Sequence, residues 1–346
     1  MARDTVRKLV TSRDVADAAN VSQTMVSRAF SGNGRMAPET RERIIEIARS
    51  IGWRPNALAR SMVTGDAPLV AVITAGLNFD WRAQVLSRLL DALQQNGLKP
   101  LLFYATGDEQ VDALMSEALD WRTRGIIVAA GTIAPERARE VLDHGYFLAA
   151  LNRSAHHPGA FSIATDNAAG GAEAAREFLA DGRTRMLVVA GPELDWASST
   201  RTAGFLNTLS QHGLTAPVWN NAEMTNQAGL ASAARYLALP KKARPDAVFV
   251  TDDAMALGFI DGLRGSVAVP EELAIIGFDN LPAASWAPYR LTTFEQPLDE
   301  LVGRIVGHIR EHGDDSEPPA EAPLAGEKPI LCPPRLLRRD TTRQGR

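Results

Sequence analysis

The stretch from Val10 to Thr64, which opens TSRDVADAANVSQTMVSRAF at residues 11–30 and runs on to Arg54-Pro55-Asn56-Ala57-Leu58-Ala59-Arg60-Ser61, decides how the chain is read. Thr11-Ser12-Arg13-Asp14 has the form of a capping box, in which Thr11 caps the first turn of a helix and Asp14 answers it. Val15, Ala18 and Ala19 then fall on one face. Asn20-Val21 breaks the helix and Ser22 is a good N-cap for a second, with Val26, Ala29 and Phe30 facing inward and Gln23, Thr24, Ser27 and Arg28 facing outward. Two short helices around a tight turn, the second presenting a small, polar and basic face, are what a helix-turn-helix needs to bring side chains to base edges in a major groove. A third helix starts at Pro38, carries Glu39 and Glu42 near its positive end and stops at Gly52. Its Ile44, Ile47, Ala48 and Ile51 form the stripe that closes a small core.

The order of these elements, with Asp14-Val15-Ala16, Val21-Ser22, Val26-Ser27-Arg28, Glu39-Thr40-Arg41 and Arg54-Pro55-Asn56-Ala57-Leu58-Ala59, resembles the DNA-binding headpiece and hinge of the lactose-repressor (LacI type) family. The resemblance implies a regulator of transcription whose Thr11, Ser22, Gln23, Thr24, Ser27 and Arg28 contact operator DNA. Arg28 is suited to guanine and Gln23 to adenine. It also implies a hinge over residues 56–63 that becomes helical when two chains sit side by side on DNA. Eight residues are too few for a stable isolated helix, since those below about 12 to 15 residues are marginal in water. Asn56 and Ala59 belong to this hinge, and Met62 stands where the family wedges a leucine into the central minor groove.

Charge agrees with this reading. Residues 1–64 carry eleven Lys and Arg against six Asp and Glu, whereas the rest of the chain carries 26 against 35, within an overall net charge of −4. A basic headpiece attracts phosphates by releasing counterions, and an acidic body keeps the remainder off DNA. Cys332 is the one cysteine, so neither an intramolecular disulfide nor a zinc-thiolate cluster is expected. The charged residues 1–8 do not read as a signal peptide, and no run of about 18 apolar residues reads as a membrane span. A cytoplasmic protein without cofactor or metal is the expectation.

Beyond Gly65-Asp66, short apolar runs alternate with amphipathic helices. Residues 69–73, 101–104, 125–129, 147–151, 186–190, 247–250 and 273–278 read as buried strands, and 85–95 as a helix ended at Gly97. Repeated strand-helix units give parallel sheets covered on both faces, and this many call for two doubly wound subdomains with a cleft between them. The expected fold is therefore an N-terminal all-α helix-turn-helix headpiece followed by an α/β core. Its division is a headpiece over 1–54, a hinge and linker over 55–66, an effector-binding and dimerisation domain over 67–340, and a tail over 341–346.

The resemblance extends along the core to about Arg339 through Asp166-Asn167, Gly191-Pro192 with Arg201 and Gly204-Phe205, Asp252-Asp253-Ala254-Met255, and Gly277-Phe278-Asp279, which are similar to the family's periplasmic-binding-protein-like domain. It implies a small effector in the cleft, commonly a sugar or purine, and a homodimer on a pseudopalindromic operator. Carried over residue by residue, Arg201 falls on an arginine that holds polar or anionic groups, Asp252 and Asp279 on hydrogen-bonding positions, and Asn152 on the cleft edge. Trp81 matches an aromatic after the first strand, and Trp196 is a candidate wall. The chain departs from the pattern at Met224, where many members have a stacking aromatic, and at Asp252, where the usual residue is Asn. A guanidinium fork, carboxylates and an aromatic plate suit a polyhydroxylated ligand, a sugar or sugar acid. Each residue also has a structural reading: Asp166 and Asp252 as helix caps, Arg201 as an ion-pair partner, Trp81 as a core or dimer-face aromatic.

Two other classes remain as rival readings. An enzyme on the same fold finds no Gly-x-Gly-x-x-Gly, Walker loop, Gly-x-Ser-x-Gly elbow or His-Glu-x-x-His, and His156-His157 reads as a solvated loop pair. A free-standing solute-binding protein is opposed by the headpiece.

Overall fold

The computed structural model describes residues 10–31, 36–55, 68–77, 80–107, 110–131, 133–153, 155, 157–311 and 328–343. The hinge candidates Asn56, Ala59 and Met62, together with His156, lie outside the described residues. The chain divides into two units, residues 1–67 and 68–346.

In the first unit, helix α1 (Ser12–Ala19) opens with both halves of the capping box. Thr11 N donates to Asp14 Oδ2 at 2.7 Å and Asp14 N to Thr11 Oγ1 at 3.4 Å. Asn20, at φ 51°, ends the helix in the left-handed conformation that Asn tolerates better than most side chains. Ser22 Oγ accepts from Met25 N at 3.3 Å at the start of α2 (Gln23–Ser31). Helix α3 (Pro38–Ser50) begins on its proline and gives way to Gly52 at φ 77°. Val15, Ala16, Ala19, Val26, Ala29, Ile44 and Ala48 form the core, and Phe30 meets Trp53 edge to face at 4.9 Å. Ala18, expected inside, is exposed, and Ala16 takes its place because α1 is covered from the side facing α2 and α3. Arg41 Nε donates to Ala29 O at 2.9 Å, so α3 supplies a partner to a carbonyl in the last turn of α2.

Among the described residues, the second unit contains two sheets of six strands. The first comprises β1 (Leu69–Ala75), β2 (Lys99–Ala105), β3 (Gly125–Val128), β4 (Phe147–Leu151), β5 (Phe161–Thr165) and β11 (Ile330–Cys332), in the order β11-β5-β4-β3-β1-β2 and parallel throughout. The second comprises β6 (Met186–Ala190), β7 (Val218–Asn220), β8 (Ala247–Val250), β9 (Ala274–Phe278), β10 (Thr292–Glu295) and β12 (Arg335–Leu337), in the order β12-β10-β9-β8-β6-β7. Only the β10–β12 pair is antiparallel. The central strands are buried on both sides, as parallel strands between helical layers must be.

Helices α4 (Asp80–Gln95) and α11 (Leu298–Glu311) cover one face of the first sheet, packing Val85, Leu89, Leu301 and Ile305 on Val70 and Val72. On the other face, α5 (Val111–Asp120) and α6 (Pro135–Asp143) set Met115 and Val141 against Ala71 and Ile73. The second sheet carries α7 (Asn167–Ala180) and α8 (Trp196–Gln211) on one face, with α9 (Asn226–Ala238) and α10 (Asp253–Leu263) on the other. Glycines bring each of these pairs into backbone contact. A Cβ on Gly171 of α7 would lie 1.9 Å from Arg201 O, and one on Gly204 of α8 would lie 2.1 Å from Ala168 O. Gly229 of α9 and Gly258 of α10 approach the backbones of Met255 and Asn226 in the same way.

The chain passes between the sheets three times: from β5 into α7, from β10 into α11, and from β11 to β12. Strands β5, β7, β10, β11 and β12 add to those expected from the apolar runs. Three of these are three residues long, and β10, Thr292-Thr293-Phe294-Glu295, has no apolar run to mark it. Helix α4 begins at Asp80 rather than Val85.

Candidate functional site

Connections leaving adjacent strands toward opposite faces open a crevice at the carboxyl end of a doubly wound sheet. In the second sheet these strands are β6, which leads to α8, and β8, which leads to α10. Gly191 N, just after β6, donates to Ser198 Oγ at 2.9 Å and to Thr251 Oγ1 at 3.2 Å, and the two hydroxyls are 2.8 Å apart. The two loops are thereby locked together. Met224 closes over Gly191 so tightly that an added Cβ would lie 2.6 Å from its Cγ.

Arg201 lies at this crevice, 5 % exposed, and each of its nitrogens meets an acceptor. Nε donates to Asn167 Oδ1 at 2.8 Å, Nη1 to Thr251 O at 2.7 Å, and Nη2 stands 3.3 Å from Asp279 Oδ1. The guanidinium carbon sits 3.7 Å from the centre of the Phe278 ring, which adds a cation–π contact. Buried ion pairs offset their desolvation when further hydrogen bonds complete them, as here.

Asp279 follows β9 at φ 115°, a strained conformation for a residue with a side chain. It is held by its own N–H on Phe294 O at 2.9 Å and by Gln296 Nε2, which donates to Oδ1 at 2.6 Å. Asp252 caps α10 by accepting from Met255 N at 3.1 Å. Burial, then the charge of Asp279, pushes the Asp252 carboxyl well above its usual range. Burial likewise raises Asp279, against the pull of Arg201. Asp253, fully buried, accepts from Thr293 Oγ1 at 2.6 Å and Leu281 N at 2.9 Å, and burial followed by the charge of Asp279 pushes it up to about 8.

In the first sheet the strands with oppositely directed connections are β1 and β3. Trp81 stands at the start of α4, after β1, packed on the α4–α11 face, with its indole nitrogen buried and without a hydrogen-bond partner among the described residues. Asn152, after β4, has φ 56°; its Oδ1 accepts from Thr165 N at 2.9 Å and its Nδ2 donates to Gln296 Oε1 at 3.3 Å. Thr165 Oγ1 donates to the same Gln296 oxygen at 2.6 Å. Gln296 thus joins the carboxyl ends of β4 and β5 to that of β9.

Arg201, Asp279 and Asn152 therefore form one set joined through Gln296, and the charge of Asp279 is felt at Asp252. Trp196 does not join their hydrogen bonds; it is 40 % exposed at the first position of α8. The structural readings also hold: Asp166 caps α7, Asp252 caps α10 and Arg201 is ion-paired. Gln296, Thr165 and Thr251 were missed, since lone polar residues beside strand ends carry no periodic signal. His157 Nδ1 accepts from Gly159 N at 3.1 Å within its loop. On the headpiece, Thr11, Ser22, Gln23, Thr24, Ser27 and Arg28 are all exposed, and Gln23 Nε2 reaches Ser12 Oγ at 3.3 Å.

Residues 11–56 match the family model of bacterial regulatory proteins of the lacI family, and residues 175–342 match that of a periplasmic binding protein-like domain. The chain is 26% identical over 322 residues to the HTH-type transcriptional regulator AscG of Escherichia coli (strain K12), covering 90% of this chain and 95% of that one. It is 28% identical over 303 residues to catabolite control protein A of Priestia megaterium, covering 84% and 89%. Among solved structures, the lac repressor dimer bound to operator and the anti-inducer ONPF shares the fold with a TM-score of 0.84 at 22% identity, covering 97% of this chain and 99% of that one. A LacI-family transcriptional regulator from Silicibacter pomeroyi has a TM-score of 0.80 at 25% identity, covering 96% and 100%. These sequence relatives are transcription regulators, and among the described residues no helix is long and apolar enough to cross a membrane. With its headpiece and its core each matched in the order the fold requires, the chain belongs to the lacI family of bacterial regulatory proteins.

Proposed function

We propose that the chain is a sequence-specific repressor whose grip on operator DNA is set by a small polar effector in the cleft of the core. The observation that carries the DNA-binding half is the division of α2: Val26 and Ala29 are fully buried while Gln23, Thr24, Ser27 and Arg28 are exposed. In this reading Gln23, Thr24 and Arg28 read base edges, and Thr11, Ser22 and Ser27 hold the DNA backbone. Asn56, Ala59 and Met62 form a hinge that folds on the operator, Met62 acting as an apolar wedge in the minor groove. The protein works as a homodimer on a pseudopalindromic site in the cytoplasm, and it binds its effector rather than transforming it.

The effector contacts are Arg201, Asp252, Asp279 and Asn152, with Trp81 and Trp196 as candidate aromatic walls. The joining of Arg201, Asp279 and Asn152 through Gln296 supports this. The domain division that accompanies the reading is a headpiece over 1–54, a hinge over 55–66, a core over 67–340 and a tail beyond.

Selection of bound duplexes from a random DNA pool, followed by gel shift on the enriched sequence, tests the reading. A pseudopalindromic consensus bound far more tightly than random duplex is the expected result. Equal binding to both, or to neither, overturns it. Hydrogen exchange on residues 57–62 tests the hinge, with protection expected only in the operator complex.

A further inference from the structure

The first two helices of the headpiece meet at their opening residues. Ser12 begins α1 and Gln23 begins α2, and Gln23 Nε2 donates to Ser12 Oγ at 3.3 Å. Local hydrogen bonds fix both backbones. Thr11 and Asp14 close the capping box around the start of α1, with Thr11 Oγ1 donating to Asp14 Oδ2 at 2.7 Å. Ser22 Oγ accepts from Met25 N at the start of α2. The turn between the helices is pinned by Asn20 N on Asp17 O at 3.2 Å and by Val21 N on Ala16 O at 3.0 Å. Beneath it Val15, Ala16 and Ala19 pack with Val26 and Ala29, so a buried core sets the distance between the two first turns.

A carboxamide offers one acceptor oxygen and two N–H donors. One N–H lies on the same edge as the oxygen and the other points away from it. In the major groove adenine presents an acceptor, N7, beside a donor, its N6 amino group, and is clamped by the amide edge that carries oxygen and N–H together. Guanine presents two acceptors, N7 and O6, and calls on both N–H groups. Giving the outward N–H to Ser12 leaves Gln23 with everything adenine needs and half of what guanine needs.

We propose that Ser12 is a positioning residue for base reading: by holding one amide N–H of Gln23 it makes Gln23 select adenine over guanine at one base pair of the operator. The proposal rests on the reading above, in which Gln23 meets base edges, and deepens it. Gln23 is exposed and Ser12 half-buried, so in the free protein water competes for their bond and the bond adds little to folding. Bound DNA excludes that water. An amide turned the wrong way then strands a donor or acceptor at the interface, where the penalty is largest. Ser12 therefore acts on sequence preference rather than on stability.

The test uses the full chain and the duplex selected from a random pool, with every base pair placed in turn at the position whose preference Gln23→Ala abolishes. Wild type is expected to favour adenine over guanine there by at least about tenfold. Ser12→Ala should lower that ratio by about two- to tenfold, the worth of one hydrogen bond, and leave binding to random duplex unchanged. Ser12→Thr, which keeps the hydroxyl, should keep the ratio. In the Gln23→Ala background Ser12→Ala should change no base preference, since a double-mutant cycle isolates the contact between the two side chains.

An unchanged ratio in Ser12→Ala, an equal loss on random duplex, an effect that persists without Gln23, or selection of a base other than adenine overturns the proposal. Failure of the readings beneath it has separate signatures. If Gln23→Ala shifts no base preference, the base-reading role of Gln23 falls and the proposal with it. If wild type prefers no duplex in the pool, the regulator reading falls before any variant is compared.

Discussion

Gln296 donates to Asp279 at 2.6 Å while its carbonyl oxygen takes a 2.6 Å hydrogen bond from Thr165, so one buried amide ties the ends of the two sheets together. The amide lies in the crossover between β10 and α11, where no regular ladder satisfies polar groups. Its loss leaves Asp279 with one donor fewer in a site 8 % exposed.

Gln296→Leu is accordingly expected to cost about 1 to 3 kcal/mol of stability, the penalty for stranding buried polar partners. Denaturant unfolding measures it. The same variant should weaken the dependence of operator binding on effector, because a cleft contact could no longer be passed from one sheet to the other. An unchanged effector response would show that the bridge is structural only.

Arg201→Ala leaves Asp279 in a buried site without its cation, and breaking such a pair by removing one partner typically costs about 3 to 5 kcal/mol. Arg201→Lys keeps the charge but cannot reach Asn167, Thr251 and Asp279 at once. For a chain that still folds, Arg201→Lys should lose the effector response while retaining operator DNA. Gel shift with and without effector separates these outcomes.

Gly171→Ala places a methyl 1.9 Å from Arg201 O, inside the contact between α7 and α8. Alanine gains about 1 kcal/mol in helix propensity over glycine. Forcing the two backbones apart costs about 1 to 3 kcal/mol or more, so destabilisation wins. The displaced helix also carries Arg201, so effector affinity should fall with the melting temperature. A more stable variant would contradict the close approach.

Arg28→Ala should weaken binding at one base pair of the operator by about 1 to 3 kcal/mol and relax the preference there. Equal weakening on random duplex would instead make Arg28 a phosphate contact.

Asp253 is raised from 3.8 to about 8 in the folded protein, chiefly by burial. A carboxyl raised by folding adds stability below its unfolded pKa, and that contribution is lost as pH climbs through the folded value. Unfolding at constant denaturant should therefore become easier from about pH 4 to pH 8, with Asp253→Asn showing a shallower slope. A wild type that gains stability over this range relative to the variant would contradict the assignment.

Local chemistry made the headpiece legible. The Thr11–Asp14 box, the Ser22 cap, the proline start and glycine stop of α3, and the 3.6-residue periodicity all act within a few residues of sequence, and each reappears in the structure. The central strands were legible for a related reason, since burial on both faces demands an unbroken apolar run. Tertiary structure decided the rest. Arg201, Thr251, Asp279 and Gln296 come from four separate segments, and their meeting depends on the order of strands in a sheet and on where the chain crosses between sheets. The edge strands β7, β11 and β12 owe their existence to neighbours that offer hydrogen bonds rather than to any preference of their own residues. The sequence could name the residues of the cleft through resemblance, but burial sets how far each carboxyl rises and which cation is already taken, and burial is a property of the folded chain.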